Sequence, residues 1–479
     1  MNFAIIFYIL GSVIKIEGIL MLFPAAVAVI YREMSGIWFL LCAAACIVAG
    51  FLMSRKRPEN CAFYAKEGFI TVSLSWIVLS LIGALPFTLS GEIPFYIDGL
   101  FEIISGFTTT GSSILTDVEA LSHCMLFWRS FSHWIGGMGV LVFVLAILPL
   151  AGAQNMYLMR TESPGPTFGK LVPKLQQSAL FLYTIYFVMS GIELLFLLAG
   201  RMPLFDAVCT VFGTAGTGGF GIRNTSIAGY GTYLQAVITI FMFLFGVNFN
   251  FYFLIIIRRA KDAFRMEEVR WYFLIFSAAV LAIAVNLTSL SGHFFSNLHH
   301  AAFQVSSVMT TTGFATADFN QWPVFSRTIL VLTMFIGACA GSTGGGIKVS
   351  RSIIYIKSTA RELSMLIHPR SVKVLKTDGK AIDNGVIRSA GAFLMCYVLV
   401  FAVSVLLVSL DNMDPTTTFT AVAATINNIG PGLEQVGPTG NFSAFTPFSK
   451  LVLMFDMLAG RLEIFPMLLL FSPRTWKRN

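Results

Sequence analysis

One pattern occurs twice in the chain, as FEIISGFTTTG at residues 101–111 and as FQVSSVMTTTG at residues 303–313. Both copies have Phe ten residues before the glycine, Ser six residues before it, and three threonines directly before it. Two further stretches, TAGTGGF at 214–220 and ATINNIGPG at 424–432, can each be aligned on one glycine. The aligned glycines, 108, 94 and 117 residues apart, are Gly111, Gly219, Gly313 and Gly430. This spacing predicts a fourfold internal repeat.

A short, half-apolar segment precedes each aligned glycine. The four segments are 97–111, 204–219, 298–313 and 415–430. A helix of roughly ten residues fits before each glycine, and its length of about 15 Å is half of a bilayer's hydrocarbon core. Polar backbone at membrane depth is tolerated only inside protein or beside water. Each repeat is therefore predicted to contain an outer helix, a half-length re-entrant helix, a glycine-centred loop and an inner helix.

The composition of the chain is that of a helical membrane protein. Of its 479 residues, 56% are hydrophobic and only 12% are charged, whereas a typical soluble domain is about 25% charged. So few charges, together with 46 Phe, exclude a soluble enzyme, a disordered chain and a disulfide-stapled secreted domain. Ten apolar stretches are long enough to span a bilayer. They are 3–30, 36–53, 69–90, 124–150, 178–200, 231–257, 271–291, 323–347, 386–410 and 448–471.

The basic residues indicate how the chain is oriented. The net charge is +8, and 24 of the 32 Lys and Arg lie in five hydrophilic parts of the chain. These parts are 54–66, 151–177, 258–270, 348–388 and the C-terminal tail. With ten spans they all lie on one side, so the positive-inside rule places them and both termini in the cytoplasm. The re-entrant segments then enter from outside. The excess of basic residues is accounted for by the positive-inside rule and by attraction to anionic membrane lipid. It does not indicate binding of nucleic acid.

Four re-entrant helices of this kind favour a cation at the membrane centre. Their C-terminal ends carry partial negative charge, and the loops that follow present backbone carbonyls. Glycine permits the positive φ that turns several carbonyls towards one axis, and rings of carbonyls can replace the hydration shell of a cation. The Thr110 and Thr312 hydroxyls are candidate additional ligands. No fixed carboxylate is required, which suits a weakly hydrated monovalent cation better than Ca²⁺.

The glycine motifs resemble the filters of the Trk/Ktr/HKT superfamily of potassium transporters. The matching stretches are TTTG at 108–111, GGF at 218–220, TTTGF at 310–314 and NNIGPGL at 427–433. The extra N-terminal helix pair is similar specifically to TrkH-type membrane subunits. The resemblance implies K⁺ as the transported ion, no bound cofactor and no enzyme activity. The implied filter residues are Thr110, Gly111, Gly218, Gly219, Thr312, Gly313, Ile429 and Gly430. The second loop lacks the Thr triplet, so only backbone coordination is expected there.

The eighth apolar stretch contains GSTGGGIK at residues 341–348. It is not a phosphate-binding loop, because Ile347 stands where that motif requires Lys and no strand precedes it. Each glycine costs about 1 kcal/mol in a helix relative to alanine, which predicts an unwound segment. A tight helix-packing surface is the alternative. The resemblance implies a gate formed by Gly341, Ser342, Thr343, Gly344, Gly345, Gly346 and Arg461.

Arg461 lies in the middle of the last apolar stretch. An ionised Arg at bilayer depth is costly and usually faces a cavity or a partner. Asp456 and Glu463 are both close in sequence, and their positions do not decide which would be the partner. The resemblance implies that Arg461 faces the pore beneath the filter. A plain structural ion pair is the alternative.

We therefore predict an all-α polytopic membrane protein with ten transmembrane helices, an N-terminal helix pair and four pore repeats. The divisions are 1–66 for the helix pair, 67–177 for repeat 1, 178–269 for repeat 2, 270–385 for repeat 3 with the gate loop 341–348 and a cytoplasmic segment, and 386–479 for repeat 4 with a cytoplasmic tail. The resemblance also implies a homodimer in a bacterial inner membrane and a cytosolic nucleotide-binding regulatory subunit. The alternative function is an inverted-repeat secondary transporter for another small solute, whose hairpins would enter from both faces.

Overall fold

The computed structural model describes residues 1–56, 58, 65–139, 175–370 and 373–476. Regular structure in these residues is helical except for one two-stranded hairpin, β1 (Lys376–Thr377) with β2 (Lys380–Ala381). The predicted mostly helical architecture is therefore confirmed. The predicted span 124–150 is described only as far as residue 139, and the gap 151–177 only from residue 175. The rest of both predictions lies outside the described residues.

The first part of the chain contains the N-terminal helices and the first glycine loop. The N-terminal helices are α1 (Phe3–Leu20), α2 (Leu22–Tyr31) and α3 (Gly36–Met53). Around the first loop lie α4 (Ala65–Gly83), α5 (Leu85–Ser90), the short α6 (Tyr96–Phe107) and α7 (His123–Gly137). Helix α6 ends four residues before Gly111, as its half-apolar segment predicts.

Each of the other three loops also follows a short helix and has longer helices around it. The second set is α8 (Leu175–Ala199), α9 (Leu204–Gly216), α10 (Thr232–Phe245), α11 (Phe249–Ile256) and α12 (Ala260–Arg265). The third is α13 (Glu267–Ser291), α14 (Phe294–Met309), α15 (Val324–Ile336) and α16 (Val349–Ile367). The fourth is α17 (Asn384–Val408), α18 (Pro415–Ile426), α19 (Pro447–Arg461), α20 (Phe465–Phe471) and α21 (Pro473–Trp476). Short 3₁₀ turns lie at Phe319–Gln321, Ser409–Asp411 and Glu434–Val436.

Six helical segments of the described residues are long and apolar enough to cross a membrane, or seven if the pair α10 and α11, bent by 89°, is one span. The ten predicted stretches exceed this number because several inner helices are short or interrupted, and because the stretch 124–150 is described only as far as residue 139. The stretch 323–347 is helical only over α15. The stretch 448–471 breaks between α19 and α20, where Glu463 and Ile464 have φ of 58° and 66°. Average hydropathy does not register such breaks.

The short helices α6, α9, α14 and α18 form the centre of the molecule. Each packs against the inner helix that follows it in sequence and against the inner helix of the preceding set. In this way α9 lies between α7 and α10, α14 between α10 and α15, and α18 between α15 and α19. The order closes because α6 lies between α19 and α7. The glycine loops at the ends of these four helices are thereby brought together.

Peripheral helices expose large apolar side chains. On α3, for example, Leu41, Val48, Phe51 and Leu52 are each more than half exposed. A soluble protein rarely exposes a continuous apolar surface of this kind, and lipid is the environment that suits it. Polar residues are instead concentrated around the central helices, where many Ser and Thr are fully buried.

Candidate functional site

The four glycine loops contact one another in a closed ring. All the aligned glycines have positive φ, at 80° for Gly111, 74° for Gly219, 92° for Gly313 and 98° for Gly430. A Cβ built on each of these glycines would lie within 3 Å of a carbonyl oxygen of the next loop. The distances are 2.0 Å from Gly111 to the Gly218 oxygen, 1.9 Å from Gly219 to that of Thr312, 2.3 Å from Gly313 to that of Ile429, and 2.9 Å from Gly430 to that of Thr110. The fourth loop therefore closes on the first. All eight residues that the sequence predicted for the filter are brought together, and only glycine fits at the aligned positions.

A shared backbone motif links each loop to its helix. The residues two positions before the glycines also have positive φ, at 55° for Thr109, 54° for Thr217, 59° for Thr311 and 56° for Asn428. The next residue donates its N–H to the carbonyl five residues earlier, as from Thr110 to Ser105 at 2.9 Å and from Ile429 to Ala424 at 2.8 Å. This is a Schellman motif. A left-handed non-glycine residue costs roughly 1–2 kcal/mol, so the surrounding contacts hold these four positions.

The threonine hydroxyls beside the ring have defined donors and acceptors. Thr108 donates to a carbonyl of its own helix at 2.6 Å, so the 2.8 Å contact between Thr108 and Thr110 requires Thr110 to be the donor. The pair Thr310 and Thr312 repeats this geometry. The hydroxyl hydrogens of these four threonines are thus all donated towards the preceding helix. Lone pairs of Thr110 and Thr312 are left as acceptors, although Asn428 already donates to Thr110 at 2.9 Å.

A cavity of about 200 Å³ lies on one side of the ring. Its walls are the aligned glycines and the residues that follow them, including Ser112, Phe220, Ala315 and Pro431. The cavity is partly open and lies on the side where the chain leaves each glycine. The ring therefore has one face that is accessible through a polar vestibule.

The glycine-rich segment, residues 341–348, lies against the opposite face of the ring. Helix α15 ends at Ile336 and α16 begins at Val349, so the segment is unwound as the glycine density predicts. Gly345 donates its N–H to the Thr311 hydroxyl at 2.6 Å. A Cβ on Gly344 would lie 2.8 Å from the Thr310 carbonyl oxygen, and one on Gly345 would lie 2.4 Å from that of Asn427. These contacts involve loop residues that precede the aligned glycines.

The surrounding helices hold the glycine-rich segment in place. The Glu268 carboxylate accepts the Ala340 N–H at 2.6 Å, and Phe249 donates its N–H to the Gly341 carbonyl at 3.0 Å. Lys348 is buried and its ammonium donates to the Gly344 carbonyl. Lys348 therefore folds back into the segment.

Arg461 bridges the glycine-rich segment and the end of α7. Its guanidinium donates to the Thr343 carbonyl at 2.8 Å, to the Gly137 carbonyl at 2.8 Å and to the Gly136 carbonyl. The C-terminal end of a helix carries partial negative charge, which suits a guanidinium. Glu463, one of the two acids considered as its partner, pairs with Arg351 at 2.5 Å. Of the predicted gate residues in the glycine-rich segment, Thr343 is thus in direct contact with Arg461.

Known proteins resemble this chain in sequence and in overall fold. A family model described as TrkH, cation transport protein, matches residues 32–478. The chain belongs to the TrkH family. The Trk system potassium uptake proteins TrkH of Salmonella typhimurium and of Escherichia coli K12 are each 36% identical to it over 100% of both chains. The crystal structure of the potassium transporter TrkH from Vibrio parahaemolyticus matches with a TM-score of 0.89 and 32% identity over 100% of both chains.

The family is one of transport proteins and not of enzymes, because its relatives are named for potassium uptake. The apolar helices and this TrkH family membership together make the chain a multi-pass membrane protein. The recognition made from the glycine motifs is therefore confirmed.

A buried ion pair behind the ring of this TrkH-family chain was not predicted from the sequence. Arg129 on α7 and Glu102 on α6 are 1% and 0% exposed, with 2.7 Å between guanidinium and carboxylate. Glu102 also accepts the Ile114 N–H at 3.0 Å, and Arg129 donates to the Gly221 carbonyl at 3.3 Å. The pair thus connects the chain leaving the first loop to that leaving the second. Because Glu102 and Arg129 are far apart in sequence, no local pattern indicates that they form a pair.

His133 is a second unpredicted connection between the same two loops. The Phe220 N–H can only donate, so His133 Nε2 accepts it at 3.3 Å. His133 Nδ1 must then carry the hydrogen and donate to the Gly106 carbonyl at 2.8 Å. The His133 imidazole lies so close to Gly218 that a Cβ on Gly218 would be 2.2 Å from it.

We expect Arg129→Met to destabilise the protein strongly, because it leaves the Glu102 carboxylate buried without its cation. Breaking a buried pair from one side costs about 3–5 kcal/mol. The double variant Arg129→Met with Glu102→Gln removes the uncompensated charge and should recover part of the loss. Thermal unfolding in detergent measures both. A double variant less stable than the single variant would contradict this account.

Proposed function

We propose that this chain takes up K⁺ across the cytoplasmic membrane through a single-chain pore on the axis of the glycine ring. The supporting observation is the closed ring, in which each aligned glycine faces a carbonyl oxygen of the next loop. Such a ring offers several neutral oxygens to one dehydrated cation, the coordination that suits K⁺. The relatives named as potassium uptake proteins support the choice of ion.

In this proposal the ring is the selectivity filter and the cavity beside it is the extracellular vestibule. Thr110, Thr312 and Ile429 contribute carbonyls that the geometry brings to the ring, as does Gly218. The C-terminal ends of α6, α9, α14 and α18 add partial negative charge towards the same point. No carboxylate is needed in the first shell of the ion, so release is not opposed by a fixed negative charge.

The glycine-rich segment together with Arg461 is the proposed gate. The segment is mostly buried against the ring face opposite the vestibule. Arg461 holds it through the Thr343 carbonyl and adds positive charge where a K⁺ would leave the filter. The described conformation is therefore the closed state, and opening requires the segment to leave the axis.

The orientation and the partners complete the proposal. The basic residues of α16, the β1–β2 hairpin and the α11–α13 connection face the cytoplasm in this arrangement, with both termini on that side. We propose a homodimer in a bacterial inner membrane that docks a cytosolic nucleotide-binding subunit on this basic surface. The names of the relatives refer to a Trk system, which supports a multi-component assembly.

The alternative of an inverted-repeat transporter is disfavoured by the geometry of the short helices. Inverted repeats would bring half-helices towards the centre from both faces. Here the same Schellman end and the same glycine conformation occur in all four loops of one ring. Helices with C-termini in a common ring of this kind approach it from a common side.

Flux through the purified chain in liposomes tests the proposal. With K⁺ inside and ⁸⁶Rb⁺ outside, the chain should accumulate ⁸⁶Rb⁺, and external K⁺ should compete far better than Na⁺. An imposed proton gradient separates channel-like from coupled transport, because only coupled flux depends on it. Absence of any K⁺-dependent ⁸⁶Rb⁺ flux, with and without the proton gradient, would refute transport by this chain alone.

A further inference from the structure

The third loop of the ring has a contact that its equivalents lack among the described residues. Thr109, Thr217, Thr311 and Asn428 occupy the same position and have the same positive φ. Only the Thr311 side chain binds the glycine-rich segment, through the 2.6 Å bond from the Gly345 N–H. The Thr217 hydroxyl donates to the Gly216 carbonyl at 2.6 Å, and the Asn428 amide donates to Thr110 and to Met457. The buried Thr109 hydroxyl has no hydrogen-bond partner in the described part of the chain.

The position of Thr311 connects two functional parts directly. Its side chain is 0% exposed, and the next residue, Thr312, supplies a carbonyl to the ring. The glycine-rich segment cannot leave the axis without breaking the bond to Gly345. Because Gly344 lies against the Thr310 carbonyl, the same movement also releases the backbone just before Thr311.

We propose that the Thr311 hydroxyl is the joint through which the closed glycine-rich segment and the ion-occupied third loop stabilise one another. This inference rests on the proposed gate and filter. An ion that orders the third loop fixes the acceptor for Gly345, and a closed segment in turn holds that loop in place. Such coupling is reciprocal by thermodynamic necessity. Thr311 is a positioning residue, since its side chain acts through the backbone on either side.

Thr311→Val tests the joint, with Thr109→Val as its matched control. Both substitutions replace a hydroxyl by a methyl at equivalent loop positions with φ of 59° and 55°, so their backbone cost is similar. Loss of one buried hydrogen bond in the closed state should raise ⁸⁶Rb⁺ flux about fivefold in Thr311→Val. The Rb⁺/Na⁺ flux ratio should not change, because the open state of the natural chain lacks this bond as well. Thr109→Val should not raise flux to this extent, because the Thr109 hydroxyl makes no hydrogen bond in the described part of the chain.

Hydrogen exchange of the segment 337–348 in lipid nanodiscs provides a readout independent of transport. In the natural chain and in Thr109→Val, KCl should slow this exchange about fivefold relative to N-methylglucamine chloride. In Thr311→Val the effect of K⁺ should be lost, and Thr311→Ser, which keeps the hydroxyl, should restore it. If Thr311→Val does not fold, Thr311→Ser remains a test. Because it keeps the hydroxyl, it must show the same flux and the same effect of K⁺ on exchange as the natural chain.

The outcomes separate failure of the joint from failure of the proposed function. Equal flux in Thr311→Val and Thr109→Val, or a K⁺ effect on exchange that persists in Thr311→Val, would overturn the joint while leaving the filter in place. Exchange in the natural chain that does not respond to K⁺ would also overturn it. Absence of flux in the natural chain would overturn the proposed function instead, because exchange is measured without transport.

Discussion

Gly111→Ser will lower the Rb⁺/Na⁺ flux ratio of the reconstituted protein by at least about tenfold, a change worth roughly 1.4 kcal/mol. The added Cβ would lie 2.0 Å from the Gly218 carbonyl oxygen, so one of the two loops must move. A displaced carbonyl no longer matches its three counterparts around a dehydrated K⁺. The hydroxyl also offers a new oxygen that binds Na⁺, which weakens discrimination further. Gly313→Ser should act in the same way, since its Cβ would lie 2.3 Å from the Ile429 carbonyl oxygen.

Gly91→Ser is the matched control for backbone strain. Gly91 has a φ of 81°, against 80° for Gly111, yet a Cβ on it would have nothing within 4 Å. The two variants therefore carry the same conformational cost and differ in the clash with the neighbouring loop. Gly91→Ser should keep the natural flux ratio. If both ring variants fold and keep the natural ratio as well, the ring is not the selectivity filter.

The ring was predictable from the sequence because its geometry depends on local signals. A positive φ beside a neighbouring backbone accepts only glycine, so Gly111, Gly219, Gly313 and Gly430 were visible as aligned single residues. The start of α18 has a local signal of another kind, an Asp followed by Pro, and the Asp414 carboxylate accepts the Thr417 N–H at 2.9 Å. Asp98 and Asp206, each 13 residues before its aligned glycine, lie in the first turns of α6 and α9 and bind Lys450 and Arg223.

Contacts between distant parts of the chain were not predictable. Glu102 and Arg129 are in adjacent helices, and nothing in either local sequence indicates that both are fully buried against one another. The partners of Arg461 are backbone carbonyls, which carry no signature in a sequence. Asp456 and Glu463 were considered only because they are near Arg461 in the chain, and their positions did not decide between them. The fold instead brings the Thr343 and Gly137 carbonyls to the guanidinium.

The breaks in the inner helices were predicted only where glycines cause them. The run of glycines between α15 and α16 indicates an unwound segment through helix propensity alone. The break after Arg461 involves Leu462, Glu463 and Ile464, which are acceptable in a helix. Pro466 in the first turn of α20 cannot continue the helix of α19, and the ion pair of Glu463 with Arg351 is one of the contacts that hold the turn. A positive φ at the β-branched Ile464 is costly, so this turn is held by its surroundings.

Arg461→Ala should increase flux through the reconstituted protein by at least about tenfold and leave the Rb⁺/Na⁺ ratio unchanged. The substitution removes charge-assisted hydrogen bonds to Thr343 and to the end of α7, each worth about 1.5–3 kcal/mol. It also removes a positive charge from the path of the ion below the filter. Both changes favour the open state, and neither alters the carbonyl ring that sets selectivity.

Arg461→Lys and Arg461→Gln separate the two contributions. Lys keeps the charge but cannot reach three carbonyls as the planar guanidinium does, so its flux should lie between those of the natural chain and Arg461→Ala. Gln keeps a donor for Thr343 without the charge, and equal flux in Gln and Ala variants would assign the effect to electrostatics. A fall in the Rb⁺/Na⁺ ratio would instead place Arg461 in the filter region. Reduced flux in all three variants would show that the closed state does not depend on Arg461. Arg461 would then have a structural role, connecting α7 to the glycine-rich segment.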